Sequence, residues 1–313
     1  MADLILHTLG CGSAKPSATH NPSSSVLSVG GSLLMFDCGE GAQAQMRRMR
    51  LNFARLGHIF LTHLHGDHVF GLPGLVGTLA LQQRVSPLTI HTFDEGERVL
   101  RPFLDYFNRG LPFEVQFNII RPEEAVIYED KHITVRTIPL RHRVKAVGYV
   151  VEEKPGLRHI DRAMCDYHGV PVAWMRRLKE GEEFVKPDGT VIPSEMLTKP
   201  ATPPRRYAHI SDTAYFPELA PKIGPVDLLF HETTYMESER SLASDRGHST
   251  AHEAATVARD AGAKMLLTGH YSSRYSGREK ELVAEAREIF PDSLLNFEGL
   301  KLRIGAGPLT TRS

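Results

Sequence analysis

Runs in which every second residue is apolar alternate along this chain with segments whose apolar residues recur every three or four positions, and each pattern predicts its own element. The stretches LILHTLG (4–10), SSSVLSV (23–29), SLLMFD (32–37) and GHIFLTH (57–63) read as strands, and EGAQAQMRRM (40–49) reads as a helix. VFGLPGLVGTLALQQ (69–83) is helical once past Pro73, and LTIHTF (88–93) is a further strand. From FEVQFNII (113–120) through AVIYED, HITVRTIPL and AVGYVVEE (146–153) the period of two repeats with few helical signals, which predicts a meander of strands. The last third returns to alternation. RYAHISD (206–212), DLLFHE (227–232) and KMLLTGH (264–270) read as strands, STAHEAATVARDAG (249–262) and EKELVAEAREIF (279–290) as helices. Thr250 and Glu253 have the spacing of a capping box, and Gly262 stands where that helix should stop. Two blocks of strands with helices around them predict an α/β fold in which two sheets face one another and helices cover the outside.

One segment breaks this rhythm. Residues 153–205 carry Pro155, Gly156, Gly169, Pro171, Gly181, Pro187, Gly189, Pro193, Pro200, Pro203 and Pro204. So long and so punctuated a stretch is unusual inside a compact domain, and it reads as an inserted arm. A small packed subdomain or a linker would leave the same signature.

Composition narrows the setting. The chain has 313 residues, 41% of them hydrophobic, enough to bury one sizeable core or two modest ones. Cys11, Cys38 and Cys165 are an odd number without C-x-x-C spacing, which argues against a disulfide framework and for a reducing compartment. The apolar run at the N-terminus is too short for a signal peptide, and no stretch approaches the ~20 apolar residues of a membrane span. The expectation is a cytoplasmic protein without membrane attachment. Lys+Arg and Asp+Glu are both 37, so a global basic excess is absent, and an anionic partner must be held by a local patch or by metal.

The candidate chemistry lies in Thr62-His-Leu-His-Gly-Asp-His68. His63 and His65 are two apart at the end of a strand, so their side chains point the same way, while Gly66 permits the turn that brings Asp67 and His68 round. Neutral imidazoles and carboxylates without cysteine are the donors of a catalytic rather than a closed structural zinc site. A site for two ions needs more ligands, and His142, Asp212 and His270 each end a predicted strand in the same way. A single histidine at a strand end is more often a hydrogen-bonded turn residue than a ligand, but that reading must hold separately at every position. His248, in GHST, precedes the capped helix, where it is otherwise a plain helix-entry residue. His231, His7, His58, His91, His132, His159, His168, His209 and His252 are expected to be surface or core residues.

THLHGDH matches the His-x-His-x-Asp-His signature of the metallo-β-lactamase superfamily. FDCGEGAQAQM, HGDHVFGLPGL, PLRH leading into VGYVVEE, ISDT, GHSTAHEAA and TGHYSSRY go further and resemble ribonuclease Z, the tRNA 3′-end processing endonuclease, over essentially the whole chain from Leu4 to Ile304. The resemblance implies a metallo-β-lactamase αββα sandwich with an inserted, protruding arm. It implies two zinc ions per subunit, one held by His63, His65 and His142 and the other by Asp67, His68 and His270, with Asp212 bridging. It also gives Asp67 the proton of the attacking water, places His248 beside the phosphate to protonate the departing ribose 3′-oxygen, and lets Glu232 orient His248. The products would be a tRNA 3′-hydroxyl and a trailer 5′-phosphate.

A centre of this kind hydrolyses amides, thioesters, lactones or phosphodiesters, so the periphery must choose the substrate. Between 141 and 206 thirteen positive residues face nine negative ones, a local excess in a chain of zero net charge. The resemblance makes residues 153–205 the arm that grips precursor tRNA across a homodimer, with Arg176, Arg177 and Lys179 as candidate RNA contacts; read alone, those three form an ordinary solvated face. Two departures stand out. Where bacterial relatives commonly carry Pro-x-Lys-x-Arg-Asn, this chain has Pro16-Ser-Ala-Thr-His-Asn21, and the arm reads GVPVAW where a Gly-Pro pair is typical. The rival expectation is a small-substrate phosphodiesterase or esterase of the same superfamily, and a non-catalytic RNA-binding member would have shown broken ligands.

Overall fold

The structure is a computed structural model that describes residues 3–305 and 307–308. Its chain forms two compact units, one from Glu153 to Pro204 and one from the residues on either side.

The larger unit holds two sheets. The first contains β1 (Ile5–Gly10), β2 (Ser24–Val29), β3 (Ser32–Phe36), β4 (Leu56–Phe60), β5 (Leu88–Thr92) and β6 (Val115–Ile119). The second begins with β7 (Val126–Glu129), β8 (Ile133–Pro139) and β9 (Val147–Glu153), and is completed by β10 (Arg206–Ile210), β11 (Leu228–Glu232), β12 (Leu266–Gly269) and β13 (Ser293–Leu294). β14 (Lys301–Arg303) and β15 (Gly307–Pro308) return to the first sheet, whose order is β15-β14-β1-β2-β3-β4-β5-β6. The order in the second is β13-β12-β11-β10-β9-β8-β7, parallel from β10 to β13.

The period of two sorts each strand between cores. Leu27, Leu34 and Phe36 pack with Val135, Tyr149, Val151, Tyr207 and Phe230 between the sheets. Val26, Leu33 and Met35 face the other way, against Met46 of α1 (Ala42–Arg48) and against Leu72, Leu75, Val76 and Leu79. After the short α2 (Gly66–Val69), those last four belong to α3 (Leu72–Leu81). On the far side Val150, Ala208 and Ile210 pack against helical Leu219, Ala255, Val257 and Leu282. Helix, sheet, sheet and helix therefore stack as the αββα sandwich the resemblance implies.

Two expectations need correction. The strands from 113 to 153 do not form one meander, because β6 pairs parallel with β5 in the first sheet while β7, β8 and β9 belong to the second. The cause is α4 (Asp94–Phe107), absent from the sequence reading: a parallel neighbour requires a crossover, and this helix supplies it. Helix α3 also starts before Pro73 rather than after it, since proline is tolerated in a first turn whose N–H groups have no partner. The capping box at Thr250 is formed, and Gly262 ends α7 (Ala251–Ala261) in the left-handed conformation; α5 (Leu219–Ile223) and α6 (Arg240–Arg246) precede it and α8 (Glu279–Ile289) follows.

The unit from 153 to 204 has a small core of its own, in which Cys165, Val170, Leu178, Phe184, Ile192 and Leu197 are buried together. Two two-stranded sheets, His159–Ile160 with Thr198–Lys199 and Phe184–Val185 with Val191–Ile192, and short helices at Arg162–Tyr167 and Met175–Lys179 frame it. It is a packed subdomain, not a structureless loop. Among the described residues no helix is long and apolar enough to cross a membrane.

Candidate metal centre

Strand ends from both sheets deliver the site, the usual place for function in open sheets. His63, His65, Asp67 and His68 follow β4, His142 follows β8, Asp212 follows β10, and His270 follows β12. The donor atoms of His63, His65, His142 and Asp212 all lie within 4.8 Å of one another, and those of Asp67, His68 and His270 do the same. Asp212 faces both sets. Its Oδ2 is 3.6 Å from His63 Nε2 and 3.8 Å from His142 Nε2, while its Oδ1 is 3.4 Å from His68 Nε2 and 3.2 Å from His270 Nε2. Asp67 Oδ2 closes the second set, 3.4 Å from His68 Nε2 and 3.5 Å from His270 Nε2.

Partners on the far side of each ring decide which nitrogen faces inward. His68 Nδ1 donates to Asp37 Oδ2 at 2.8 Å, and His142 Nδ1 donates to the Gly247 carbonyl at 2.7 Å. His270 Nδ1 donates to Thr234 Oγ1 at 2.9 Å, whose hydroxyl donates onward to Glu232. His63 Nδ1 donates to Thr62 Oγ1 at 3.1 Å, and that hydroxyl is spent on Asp37 Oδ2 at 2.8 Å. Every one of these rings therefore turns an Nε2 lone pair toward carboxylate oxygens or other lone pairs, as where His65 Nδ1 lies 3.0 Å from His63 Nε2 and 3.3 Å from His142 Nε2. His68 Nε2 and His270 Nε2 are buried without a hydrogen-bond partner. Acceptors converging in a dry pocket repel unless a cation sits among them, so the residues fit divalent metal.

The electrostatics carry the same sign. Burial, helped by the neighbouring His68, pushes His63 well below the ordinary histidine value. Burial also acts downward on His68, but the carboxylates of Asp37 and Asp212 outweigh it and hold that ring well above the ordinary value. Burial would raise Asp212, yet His270, His68 and His63 pull it well below the usual carboxylate range. The carboxylates of Asp37 and Asp212 thus favour a positive partner among these rings, a role that a proton on His68 fills and that a divalent cation would fill in its place.

His248 stands beside this centre. Its Nδ1 donates to Glu232 Oε1 at 2.9 Å and lies 3.8 Å from Asp212 Oδ2. Burial works against its proton, but the Glu232 and Asp212 carboxylates prevail and raise its pKa to about 9. Glu232 is fully buried at the end of β11 and also accepts the Thr213 N–H at 2.9 Å, so its orientation is fixed. The open side of the site is a cavity of about 260 Å³ lined by His65, Asp67, His142, Asp212, His248 and His270 among others.

Arg176, Arg177 and Lys179 belong to the smaller unit, on the helix Met175–Lys179. Arg176 pairs with Glu180 at 3.1 Å, and Arg177 pairs with Glu182 at 2.7 Å and lies 4.1 Å over the Trp174 ring. Of the histidines read as surface or core, His7, His91, His209 and His231 are buried away from the donor sets. Two supporting residues escaped the sequence reading. Asp37 is fully buried and accepts from His68 and from the Thr62 N–H, and Thr234 joins His270 to Glu232. Asp37 had a legible signal, since it too ends a strand. His20 was overlooked as well; its ring is bracketed by Glu298 at 3.0 Å and Glu279 at 3.1 Å.

Comparison with known proteins agrees with this architecture. Residues 4–154 match the family described as anti-Pycsar protein Apyc1, and residues 189–271 match the beta-lactamase superfamily domain. A ribonuclease Z of Parabacteroides distasonis is 48% identical over 97% of this chain and 100% of its own length. One from Porphyromonas gingivalis is 46% identical over 96% of this chain and 99% of its own. Among solved structures, the short form of human tRNase Z superposes with a TM-score of 0.68 at 25% identity, covering 96% of this chain and 99% of the human one. With full-length relatives at this identity, the metallo-β-lactamase fold and the donor sets above, the chain belongs to the ribonuclease Z family of metal-dependent hydrolases.

Proposed function

We propose that this chain is an endoribonuclease that removes the 3′ trailer from precursor tRNA, leaving a 3′-hydroxyl on the tRNA and a 5′-phosphate on the trailer. The observation that carries the reading is the convergence of two donor sets on the single carboxylate of Asp212, in a member of this family. His63, His65 and His142 would hold one ion, Asp67, His68 and His270 the other, with Asp212 between them. Zinc suits neutral imidazoles and carboxylates. Two such ions, when bound, would polarise the scissile phosphate and make a water acidic enough to give up a proton. Asp67, oriented by the Ala14 N–H at 2.7 Å, accepts the proton of the attacking water. His248, kept protonated by Glu232, gives its proton to the departing ribose 3′-oxygen.

The proposal extends to the setting. Residues 153–204 would serve as the tRNA-gripping arm, with Arg176, Arg177 and Lys179 at its surface. A homodimer is consistent with exposed Val99, Phe103, Tyr106 and Phe107 on α4, where the Phe107 ring meets Phe103 tilted at 4.6 Å and Tyr106 edge-on at 4.9 Å to form one apolar strip. Three free, buried cysteines fit the reducing cytoplasm.

The test is cleavage of end-labelled precursor tRNA, with and without a 3′ CCA, by the purified metal-loaded protein, with products mapped at single-nucleotide resolution. One cut at the trailer junction and two zinc ions per chain by elemental analysis are expected. Replacing His248 by Ala should keep both ions yet slow cleavage by ~10²–10⁴. No cut, with a chromogenic phosphodiester still hydrolysed, would move the site to a small-substrate phosphodiesterase.

A further inference from the structure

Four cations line the cavity over the metal centre: Lys15, Arg143, Arg246 and Arg274. Two of them already have a hydrogen-bond partner: Arg274 pairs with Glu239 at 2.7 Å, and Arg143, without a carboxylate to balance its charge, donates to the Asp245 carbonyl at 3.3 Å. Lys15 and Arg246 are exposed and have no carboxylate partner among the described residues. Each is nevertheless held in register with the centre by the backbone of its neighbour. Ala14, forced to a φ of +62°, donates its N–H to Asp67, and Lys15 follows it directly. Gly247, at a φ of +73°, accepts from His142, and Arg246 precedes it directly as the last residue of α6. A Cβ on Gly247 would stand 2.9 Å from His142 Nδ1, so this close approach needs glycine. One cation is thereby tethered to Asp67, in the second donor set, and the other to His142, in the first.

Unpaired side-chain charges attached to opposite sets of one centre are more than a single bound phosphate requires, since the ions and His248 already serve that group. They suit a polyanion whose next charges lie on either side. We infer that Lys15 and Arg246 form a two-cation clamp for the backbone phosphates that flank the scissile one, and so fix the register in which the RNA strand crosses the ions. The inference rests on the proposed phosphodiester reading and deepens it. The solvated alternative, in which both side chains merely face water, predicts no dependence on any particular phosphate.

The experiment pairs Lys15→Gln and Arg246→Gln with precursor tRNAs in which one phosphate at a time, on either side of the cleavage point, is replaced by an uncharged methylphosphonate. Each variant, verified to carry the wild-type amount of zinc, should lose about tenfold in kcat/KM, and the dependence of its logarithm on log salt should flatten by about 0.7, the value of one single-strand phosphate contact. One methylphosphonate position should hurt the wild type but leave the Lys15→Gln rate unchanged, and a second should do so for Arg246→Gln. Cleavage by either variant at the wild-type rate overturns the clamp, as do methylphosphonate penalties that persist undiminished in both variants. Absence of cleavage by the wild-type chain overturns the proposed function and the clamp with it.

Discussion

An imidazole between two carboxylates keeps its proton to a higher pH than a free one, and His20 is so placed. Its Nδ1 meets Glu298 and its Nε2 meets Glu279, and the hydrogen bond to Glu298 is the main cause that raises its pKa, against the opposing pull of burial. The Cys11 thiol, 3.3 Å from Nδ1, and the Tyr271 ring are its other neighbours, and both have their own pKa raised by burial, so both stay neutral. Because the folded-state value exceeds the unfolded one of about 6.5, the stabilisation is complete below that pH and is lost as pH rises through the folded value. Wild-type thermal stability should therefore fall between pH 6 and the alkaline side by more than that of His20→Gln, which keeps a hydrogen bond but no titrating charge. At pH 6 the substitution should cost about 1–2 kcal/mol, measured by denaturant unfolding. Equal slopes with pH in both proteins would remove His20 from this role. The sequence had marked Pro16–Asn21 as lacking basic residues. In place of the expected arginine stands His20, turned inward toward glutamates far along the chain, a pairing that residue type and spacing cannot reveal.

At the scale of elements, the candidate site was legible because its candidate ligands recur at one place relative to their strands, and a period of two followed by His or Asp survives in any one sequence. What supports the ligands was harder to read, because Asp37, Thr62 and Thr234 act through hydrogen bonds to ring nitrogens rather than through a spacing. Asp37 directly follows β3 at a φ of +55°, a strained conformation for a residue with a side chain, and spends both oxygens on the loop after the next strand. Replacing it by Ala should leave His68 without its acceptor and weaken metal binding by about 10–100-fold, measured by competition with a chelator. Unchanged affinity would mean that His68 is oriented by packing alone. The helix α4 was missed for a different reason. Val99, Leu100, Phe103, Leu104 and Phe107 recur every three or four residues along one broad face, part buried and part exposed, so the helical period was there to be read. What argues against a helix is Pro102 in its interior. With the crossover unseen, β6 fell to the wrong sheet.

For the whole molecule the decisive fact is where the insertion leaves and returns. β9 and β10 are antiparallel neighbours, and Glu152 and Arg206 are paired across them, with Arg206 Nη2 2.5 Å from Glu152 Oε1. The segment from 153 to 204 therefore occupies the place of a hairpin turn, and its own core of Cys165, Leu178 and Leu197 shares no residue with the cores of the larger unit. All seven candidate ligands, with His248 and Glu232, lie outside it. Excising 153–205 and joining Glu152 to Arg206 through Asn-Gly, which matches the twist of a two-residue hairpin, should yield a folded chain that still binds metal. Hydrolysis of a small chromogenic diester should then continue, while the apparent Michaelis constant for precursor tRNA rises at least tenfold, because contacts remote from the reacting phosphate supply binding that the small substrate never used. A rise for precursor tRNA alone places the insertion in RNA capture. Loss of both activities with metal retained would show that the insertion shapes the centre itself, and an unchanged constant for precursor tRNA would leave residues 153–204 a packed subdomain without part in substrate binding.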